Sequence, residues 1–148
     1  MVRVTIESPT AAVREWFDAL GTCCASEDYE GARGLIAGDV RSFGTKAEIV
    51  TGREKLEANQ WRGIWPNIAD FRFDLDTVVA EGEDGRVWGA VVWQSTGFDE
   101  DGEPFDRPGR ATVVLERRED AWVAVHTHFS LYPGTPQFTY GPDGRDGA

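Results

Sequence analysis

The sequence has 148 residues, in which 15 Lys and Arg stand against 26 Asp and Glu, for a formal net charge of −11. This length suffices for one domain with a single core, and a hydrophobic content of 41% with 11% aromatic residues excludes an intrinsically disordered chain. The acidic balance argues against nucleic acid and anionic membranes as partners, because both are bound through basic patches.

The start of the chain and its two cysteines bear on the cellular compartment. Met1–Val4 lacks the apolar region of a secretory signal. No later apolar stretch approaches the roughly 20 residues that a membrane span requires. Cys23 and Cys24 are adjacent, so they cannot close an ordinary disulfide loop. These features predict a cytoplasmic protein in a reducing compartment.

Two helices are predicted first. Ser8 can cap a helix that begins at Pro9, which suits a first helical position. A second, short helix is predicted after the acidic cap Ser26–Asp28, and it ends at Gly38. The apolar residues at helical spacing are Val13, Trp16, Phe17, Leu20 and Cys24 in the first helix, and Tyr29, Ala32, Leu35 and Ile36 in the second.

A small hairpin and a third helix follow. Val40–Phe43 and Glu48–Val50 can pair as two short strands. Thr51–Glu54 matches a capping box, which predicts a helix that runs towards Trp61 and ends before Pro66.

From Ile68 onwards the period changes to that of strands. Residues 71–79 alternate between apolar and polar side chains, and three more β-rich runs follow: Val87–Phe98, Phe105–Arg117 and Trp122–Tyr132. Helices followed by a long antiparallel meander predict an α+β fold. The tail Pro133–Ala148 is rich in Gly, Pro and Asp and is expected to be loose, although Phe138 and Tyr140 can dock.

Two sequence segments, together with this order of helices and strands, show a resemblance to a known family. They are Val40–Thr45 followed by Val50–Glu54, and the last strand Trp122–Ser130. The sequence resembles the nuclear transport factor 2-like superfamily, and within it the SnoaL-like group, whose founding members act in polyketide cyclisation. The second segment is also similar to one that closes the association domain of calcium/calmodulin-dependent kinase II, an oligomerisation hub. The resemblance covers about Pro9 to Gly134.

The resemblance implies a cone-shaped fold, also called cystatin-like. A curved, mostly antiparallel sheet would wrap around three N-terminal helices, with residues 1–134 as one SnoaL-like domain and 135–148 as a flexible tail. We also expect a homodimer formed through the open sheet face. The second, third and fourth long strands carry apolar side chains on both faces, such as Val91 with Val92 and Val113 with Val114, and the set that the helices do not cover would be exposed in a monomer.

The fold hosts isomerases, dehydratases, hydrolases, carriers and hubs. The catalytic positions of ketosteroid isomerases align near Ser42 or Phe43, near Trp16 or Phe17, and near Val113. Their residue types are not retained, and valine cannot donate a hydrogen bond. The resemblance therefore does not extend to ketosteroid isomerase chemistry.

His126 and His128 are the only histidines, and they stand two apart on the predicted last strand. A period of two places both on one face, with Trp122, Ala124 and Ser130, and the family suggests that this face looks into the cone. We predict His128 as a general base and His126 as its supporting donor. The alternative is that both are structural. Neither a third metal ligand nor a cofactor motif accompanies them, so no metal and no cofactor are predicted.

Six tryptophans suggest a flat-walled pocket for a cyclic ligand. The residues predicted to line it are Trp16, Phe17, Trp61, Trp65 and Trp93, with Arg110 or Tyr132 orienting polar substituents. The alternatives are core packing for the rings and a surface ion pair for Arg110. Trp88 and Trp122 are predicted to lie elsewhere.

The combined prediction is a cofactor-free SnoaL-like protein that binds an apolar cyclic metabolite. The reaction predicted for it is isomerisation, dehydration or cyclisation by acid–base proton transfer. The alternative is a non-enzymatic ligand-binding or oligomerisation module like the kinase association domain.

Overall fold

The computed structural model describes residues 8–45 and 48–145. Its first element is helix α1, Pro9–Ser26, where the Ser8 side chain accepts a hydrogen bond from the Ala11 backbone N–H. Glu27 ends the helix in a left-handed conformation with φ 54°. The predicted start and the predicted buried stripe are both observed, because the cap and the apolar spacing act locally.

Helix α2, Tyr29–Arg33, is shorter than predicted. Asp28 caps it as expected, but Leu35 and Ile36 do not continue it. The Leu35 carbonyl accepts hydrogen bonds from the Trp16 indole N–H and from the Ala124 backbone N–H, both at 2.9 Å. A tertiary contact thus replaces the helical bond, and Ile36 begins a strand instead.

The third helical segment is irregular. It consists of α3, Arg53–Leu56, a π-helical turn, Glu57–Trp61, then α4, Arg62–Ile64, and a 3₁₀ turn, Trp65–Asn67. The predicted capping box does not form. Gly52, with φ 98°, occupies the cap position without a side-chain bond, and Thr51 belongs to a strand. The segment also runs past Trp61, with Pro66 inside the final turn.

A buried carboxylate ties this segment to α2. Glu57 accepts hydrogen bonds from the Arg33 guanidinium at 2.6 Å and 2.9 Å and from Arg62 Nε at 2.8 Å, and its side chain is only 12% exposed. The hydrogen bonds from Arg33, and then those from Arg62, lower the pKa of Glu57 to about 2. The ionised carboxylate therefore links two helical elements that are 24 residues apart.

Seven strands form one sheet. Their bounds are β1 Ile36–Phe43, β2 Val50–Thr51, β3 Ala69–Glu83, β4 Arg86–Phe98, β5 Pro104–Asp106, β6 Gly109–Arg118 and β7 Ala121–Leu131. The spatial order is β2-β1-β7-β6-β4-β3, with β5 against β4. β1 runs parallel to β7, and every other pair is antiparallel. Helix α1 packs on one face, against β3 and β4.

The single strand predicted for Phe105–Arg117 is interrupted. β5 and β6 both pair with β4 but are separated by Arg107 and Pro108. Arg107 pairs with Ser95 at this break: its N–H donates to the Ser95 carbonyl, and its carbonyl accepts from the Ser95 hydroxyl. Proline lacks an N–H and fixes φ, so the ladder cannot continue through position 108.

Strand β7 contains a bulge at Val125. Leu115 pairs with Ala124, whereas the next residue on β6, Val114, pairs with His126. Two residues of β7 therefore oppose one residue of β6, and the alternation of faces changes phase at this point. Ala124 and Thr127 are consequently both buried.

Residues 135–145 lie alongside the β4–β5 hairpin and bond to its backbone. The Tyr140 N–H donates to the Phe98 carbonyl, and the Arg145 N–H donates to the Glu100 carbonyl, both at 2.8 Å. Phe138 remains 57% exposed. The flexibility predicted for residues 135–148 stays a prediction, and these bonds are the contacts that such motion would break.

In the described part of the chain, no helix combines the length and the apolar character needed to cross a membrane.

Glu57→Gln should lower the midpoint of thermal unfolding near neutral pH, because the amide cannot carry the charge that both arginines bind. A carboxyl group whose pKa is lowered in the folded state stabilises the fold above the unfolded pKa. That contribution disappears as the pH falls from about 4.5 to about 2. Calorimetry over this range should therefore show the parent and Glu57→Gln converging at low pH. The exposed Glu54, changed to Gln, is the control and should follow the parent throughout.

Candidate functional site

A cavity of about 60 Å³ lies between α1, the third helical segment and the inner face of the sheet. The half-buried side chains of Ile64, Trp65 and Ile68 stand at its mouth, and the fully buried Trp93 and Arg107 form its floor. Such a volume holds roughly four to six water molecules. The space is therefore suited to a small group, with room for a larger ligand body only towards the mouth.

Arg107 faces the cavity because the alternation of the strand places it on the inner face, in the same row as Gly109 and Ala111. Its backbone pairs with Ser95, whose burial places it on the inner row of β4 with Trp93 and Gly97. A Cβ atom at Gly97 would collide with the Phe105 ring, at 2.5 Å and 2.8 Å, and would also approach Arg107 Cδ to 3.1 Å. The glycine thus leaves space for the Phe105 ring, which packs beside the arginine stem.

The guanidinium of Arg107 is buried without an anionic partner. Only 2% of the residue is exposed, and no carboxylate within the described ranges 8–45 and 48–145 lies at salt-bridge distance from it. Its one side-chain hydrogen bond among these residues runs to the Thr45 hydroxyl at 3.3 Å, and its Cζ lies 5.5 Å from the Trp93 ring centroid. The π face of Trp93 compensates the buried charge of Arg107 only in part.

Burial also determines the protonation states of Arg107 and Cys24. Desolvation lowers the pKa of Arg107 to about 10, which still leaves the group charged at neutral pH. Desolvation raises the pKa of the neighbouring Cys24 thiol far above its ordinary value. Cys24 is therefore a neutral thiol and cannot act as the counter-ion.

Three buried N–H donors of the cavity wall lack acceptors among the described residues: Gln60 Nε2, Trp93 Nε1 and Arg107 Nε. Each unpaired buried donor costs about 1–3 kcal/mol. All three atoms are donors, and no buried side-chain acceptor of residues 8–45 and 48–145 is unpaired. The floor therefore has the polarity of a site for hydrogen-bond acceptors.

Aromatic rings form the rest of the wall. Trp65 stacks on Trp61 and on Tyr29, with ring centroids 5.2 Å and 5.3 Å apart. Trp93 lies directly on Gly109, where any Cβ atom would collide with its ring. A flat apolar surface and a donor-rich floor are thus combined in one cavity.

The structure brings three of the predicted pocket residues to the cavity: Trp61, Trp65 and Trp93. Trp16 and Phe17 are core residues instead, 3% and 0% exposed, on the sheet-facing side of α1. The sequence could not separate these sets, because both lie on apolar helix faces. Trp88 is exposed and Trp122 is packed against the core, and neither lines the cavity.

His126 and His128 do not face the cavity, so the predicted orientation of the histidine face is wrong. The bulge at Val125 turns Thr127 and Phe129 inward and leaves the imidazoles on the outer face. His126 Nδ1 lies 2.8 Å from the Arg41 carbonyl, and the His128 ring lies 5.0 Å from the Phe43 ring. This placement gives no support to the predicted base and donor roles.

Arg110 and Tyr132 also lie away from the cavity. Arg110 is exposed on β6, and its Cζ is 5.8 Å from the ring centroid of Tyr132, which is 57% exposed. Neither residue lines the cavity, so the structure does not place them where substrate orientation would require. Within residues 8–45 and 48–145, no group of three or more His, Cys, Asp or Glu side chains is arranged to hold a metal ion.

Sequence reasoning missed Arg107 and Gln60. The signal for Arg107 was the period of two, which places it on the same strand face as Ala111 and Val113. Gln60 carried no comparable signal, since a polar residue on a helix is ordinarily exposed.

The model for the SnoaL-like domain family matches residues 12–134 of this sequence. The chain belongs to the SnoaL-like domain family. No curated protein matches the sequence.

Solved structures that share the architecture of this SnoaL-like chain confirm the predicted fold class. A candidate calcium/calmodulin-dependent kinase II association domain from Xanthomonas campestris has a TM-score of 0.73 at 21% identity, covering 90% of this chain and 95% of its own. A ketosteroid isomerase-like protein from Erwinia carotovora has a TM-score of 0.72 at 14% identity, with 86% and 97% covered. A candidate dehydratase of the nuclear transport factor 2-like family from Streptomyces avermitilis has a TM-score of 0.69 at 17% identity, with 83% and 95% covered. At these identities the likeness establishes the fold alone.

Arg107→Met should stabilise the ligand-free SnoaL-like domain, because a buried charge without a partner is replaced by an apolar chain of similar length. We expect the free energy of unfolding to rise by about 1 kcal/mol or more. Chemical denaturation measures it. Arg110→Met, at an exposed arginine three residues away, is the control and should change stability by less than about 0.5 kcal/mol. A less stable Arg107→Met protein would contradict this account of the floor.

Proposed function

We propose that this SnoaL-like protein binds a small cyclic, largely apolar metabolite in the cavity. The observation that carries the proposal is the aromatic wall of Trp61, Trp65 and Trp93 around a space that opens to solvent. Ligand sites are typically concave and apolar, with a few polar groups that fix orientation, and this cavity has that character.

Ligand binding is favoured over acid–base catalysis by the cavity walls. The titratable side chains among the described lining residues are Cys24 and Arg107. Burial holds Cys24 as a thiol and leaves Arg107 charged, so neither accepts a proton near neutral pH. A general base works best with a pKa near the operating pH. Isomerase, dehydratase or cyclase activity would thus depend on a proton acceptor carried by the ligand or by another part of the protein.

Acetophenone, a neutral ring with a carbonyl acceptor, is a suitable probe of this proposal. We expect saturable binding by isothermal titration calorimetry, and Trp65→Ala should weaken it about tenfold, because a ring-sized contact is lost. Trp88→Ala is the matched control, since Trp88 is exposed on the opposite face of the sheet. Circular dichroism checks that both variants are folded. The proposal fails if acetophenone does not bind, or if the two variants bind it equally.

A second candidate function is self-association through the outer face of the sheet. This face exposes four large apolar side chains: Phe43 at 37%, Val79 at 57%, Trp88 at 42% and Val92 at 38%. We propose that it forms the homodimer interface, as the apolar strand pairs predict. Val79, Trp88 and Val92 lie on the adjacent strands β3 and β4, and Phe43 lies on β1. Exposed aliphatic and aromatic side chains grouped on adjacent strands are typical of a surface that another subunit covers.

Val92→Glu should convert a dimer into a folded monomer, because it places a charge on the apolar face without disturbing the core. Light scattering after size-exclusion chromatography at micromolar concentration measures the mass. Ile49→Glu is the control, since Ile49 is 54% exposed but precedes β2, outside the sheet face. A monomeric parent protein would refute the dimer.

A further inference from the structure

The floor of the cavity shows what kind of ligand group it is built to hold. Its buried and unpaired polar atoms are N–H donors on Gln60, Trp93 and Arg107, and one of them belongs to a permanently charged guanidinium. We propose that this floor binds the carboxylate of a small cyclic acid, with Arg107 as the charged partner. The inference rests on the proposed binding function and specifies the class of ligand.

The donor groups are connected through residues 44–45. Arg107 Nη2 bonds the Thr45 hydroxyl at 3.3 Å, and the Gln60 amide packs against Gly44 so closely that a Cβ atom there would collide with it. Trp93 lies on the other side, with its ring centroid 5.5 Å from Arg107 Cζ. Arg107 therefore has Thr45 and Trp93 as neighbours, and Gln60 lines the same cavity beside Gly44.

A carboxylate matches this set better than other polar groups. A guanidinium has five N–H donors in a planar fork that pairs with two oxygens, and only one of its bonds is used within the described chain. An amine or an alcohol would bring donors to a wall that already has unpaired donors. A phosphate dianion would bring two charges to one cation inside a protein of net charge −11.

The size of the cavity also favours a carboxylate head on a ring. About 60 Å³ is less than half of the roughly 150 Å³ apolar cavity that accepts a benzene ring. The head group therefore fits at the floor, and the ring extends to the mouth, beside Trp61 and Trp65. In this arrangement the floor binds the carboxylate, and the aromatic side chains nearer the mouth bind the ring.

The test varies the head group on a constant ring. Benzoate, benzamide and acetophenone have nearly the same shape, and phenyl phosphate adds a dianionic head. On the parent protein we expect calorimetry to show benzoate bound about ten to one hundred times more tightly than benzamide, which is the gain expected from charged hydrogen bonds. Phenyl phosphate should bind more weakly than benzoate.

Arg107→Met should bring the ratio of the benzoate and benzamide affinities to about one, and circular dichroism checks that the variant is folded. Arg110→Met is the control and should keep the parent's preference, because that guanidinium lies on the outer face. Arg107→Lys should give an intermediate preference, since it keeps the charge but not the fork. It also serves as the second variant if Arg107→Met does not fold.

The possible failures are distinguishable. If the parent binds acetophenone but binds benzoate no more tightly than benzamide, the carboxylate inference is wrong and the binding function stands. The inference is equally wrong if Arg107→Met keeps the preference, or if phenyl phosphate is preferred. If no ring compound binds to the parent, the proposed function fails and the inference fails with it.

Discussion

Arg107 carries a positive charge into a cavity whose walls are formed mainly by aromatic and aliphatic side chains. Pro108 divides the strand into β5 and β6, but the register with β4 is the same on both sides, and the backbone of Arg107 pairs with Ser95. Placing an ion in such a setting is costly unless something compensates it. The free energy gained by burying the surrounding apolar side chains must offset this cost. Sites that give up stability in this way are commonly sites of function.

The fold could be predicted from the sequence where local signals determine structure. Ser8 and Pro9 mark the start of α1, and the alternation of residues 71–79 marks a half-buried strand. The predictions failed where distant contacts compete with local ones. The end of α2 depends on the Leu35 carbonyl, which Trp16 and Ala124 occupy, and neither partner can be identified from the local sequence.

The candidate site was less accessible to prediction. Trp61, Trp65 and Trp93 could be assigned to a pocket because six tryptophans in a chain of this size suggest a flat aromatic wall. The histidines were misplaced because a period of two holds only until a bulge interrupts it. Arg110 was predicted because it follows Pro108 and Gly109 at the start of a strand. The alternation of that strand places Arg110 on the outer face, and Arg107 on the inner face with Ala111 and Val113. The bulge in β7 has no signal in the sequence, whereas the inner position of Arg107 follows from the period of two.

The bulge at Val125 also bears on how this protein can change over time. It divides β7 into two halves, each with its own phase, and Val125 is the extra residue between them. Loss of that one codon would straighten the strand yet leave Ala124, Thr127 and Phe129 inside and both histidines outside. A deletion at Val125 would therefore keep the present inner and outer rows of β7, whereas a deletion at a regularly paired position would exchange the two rows on one side of the change.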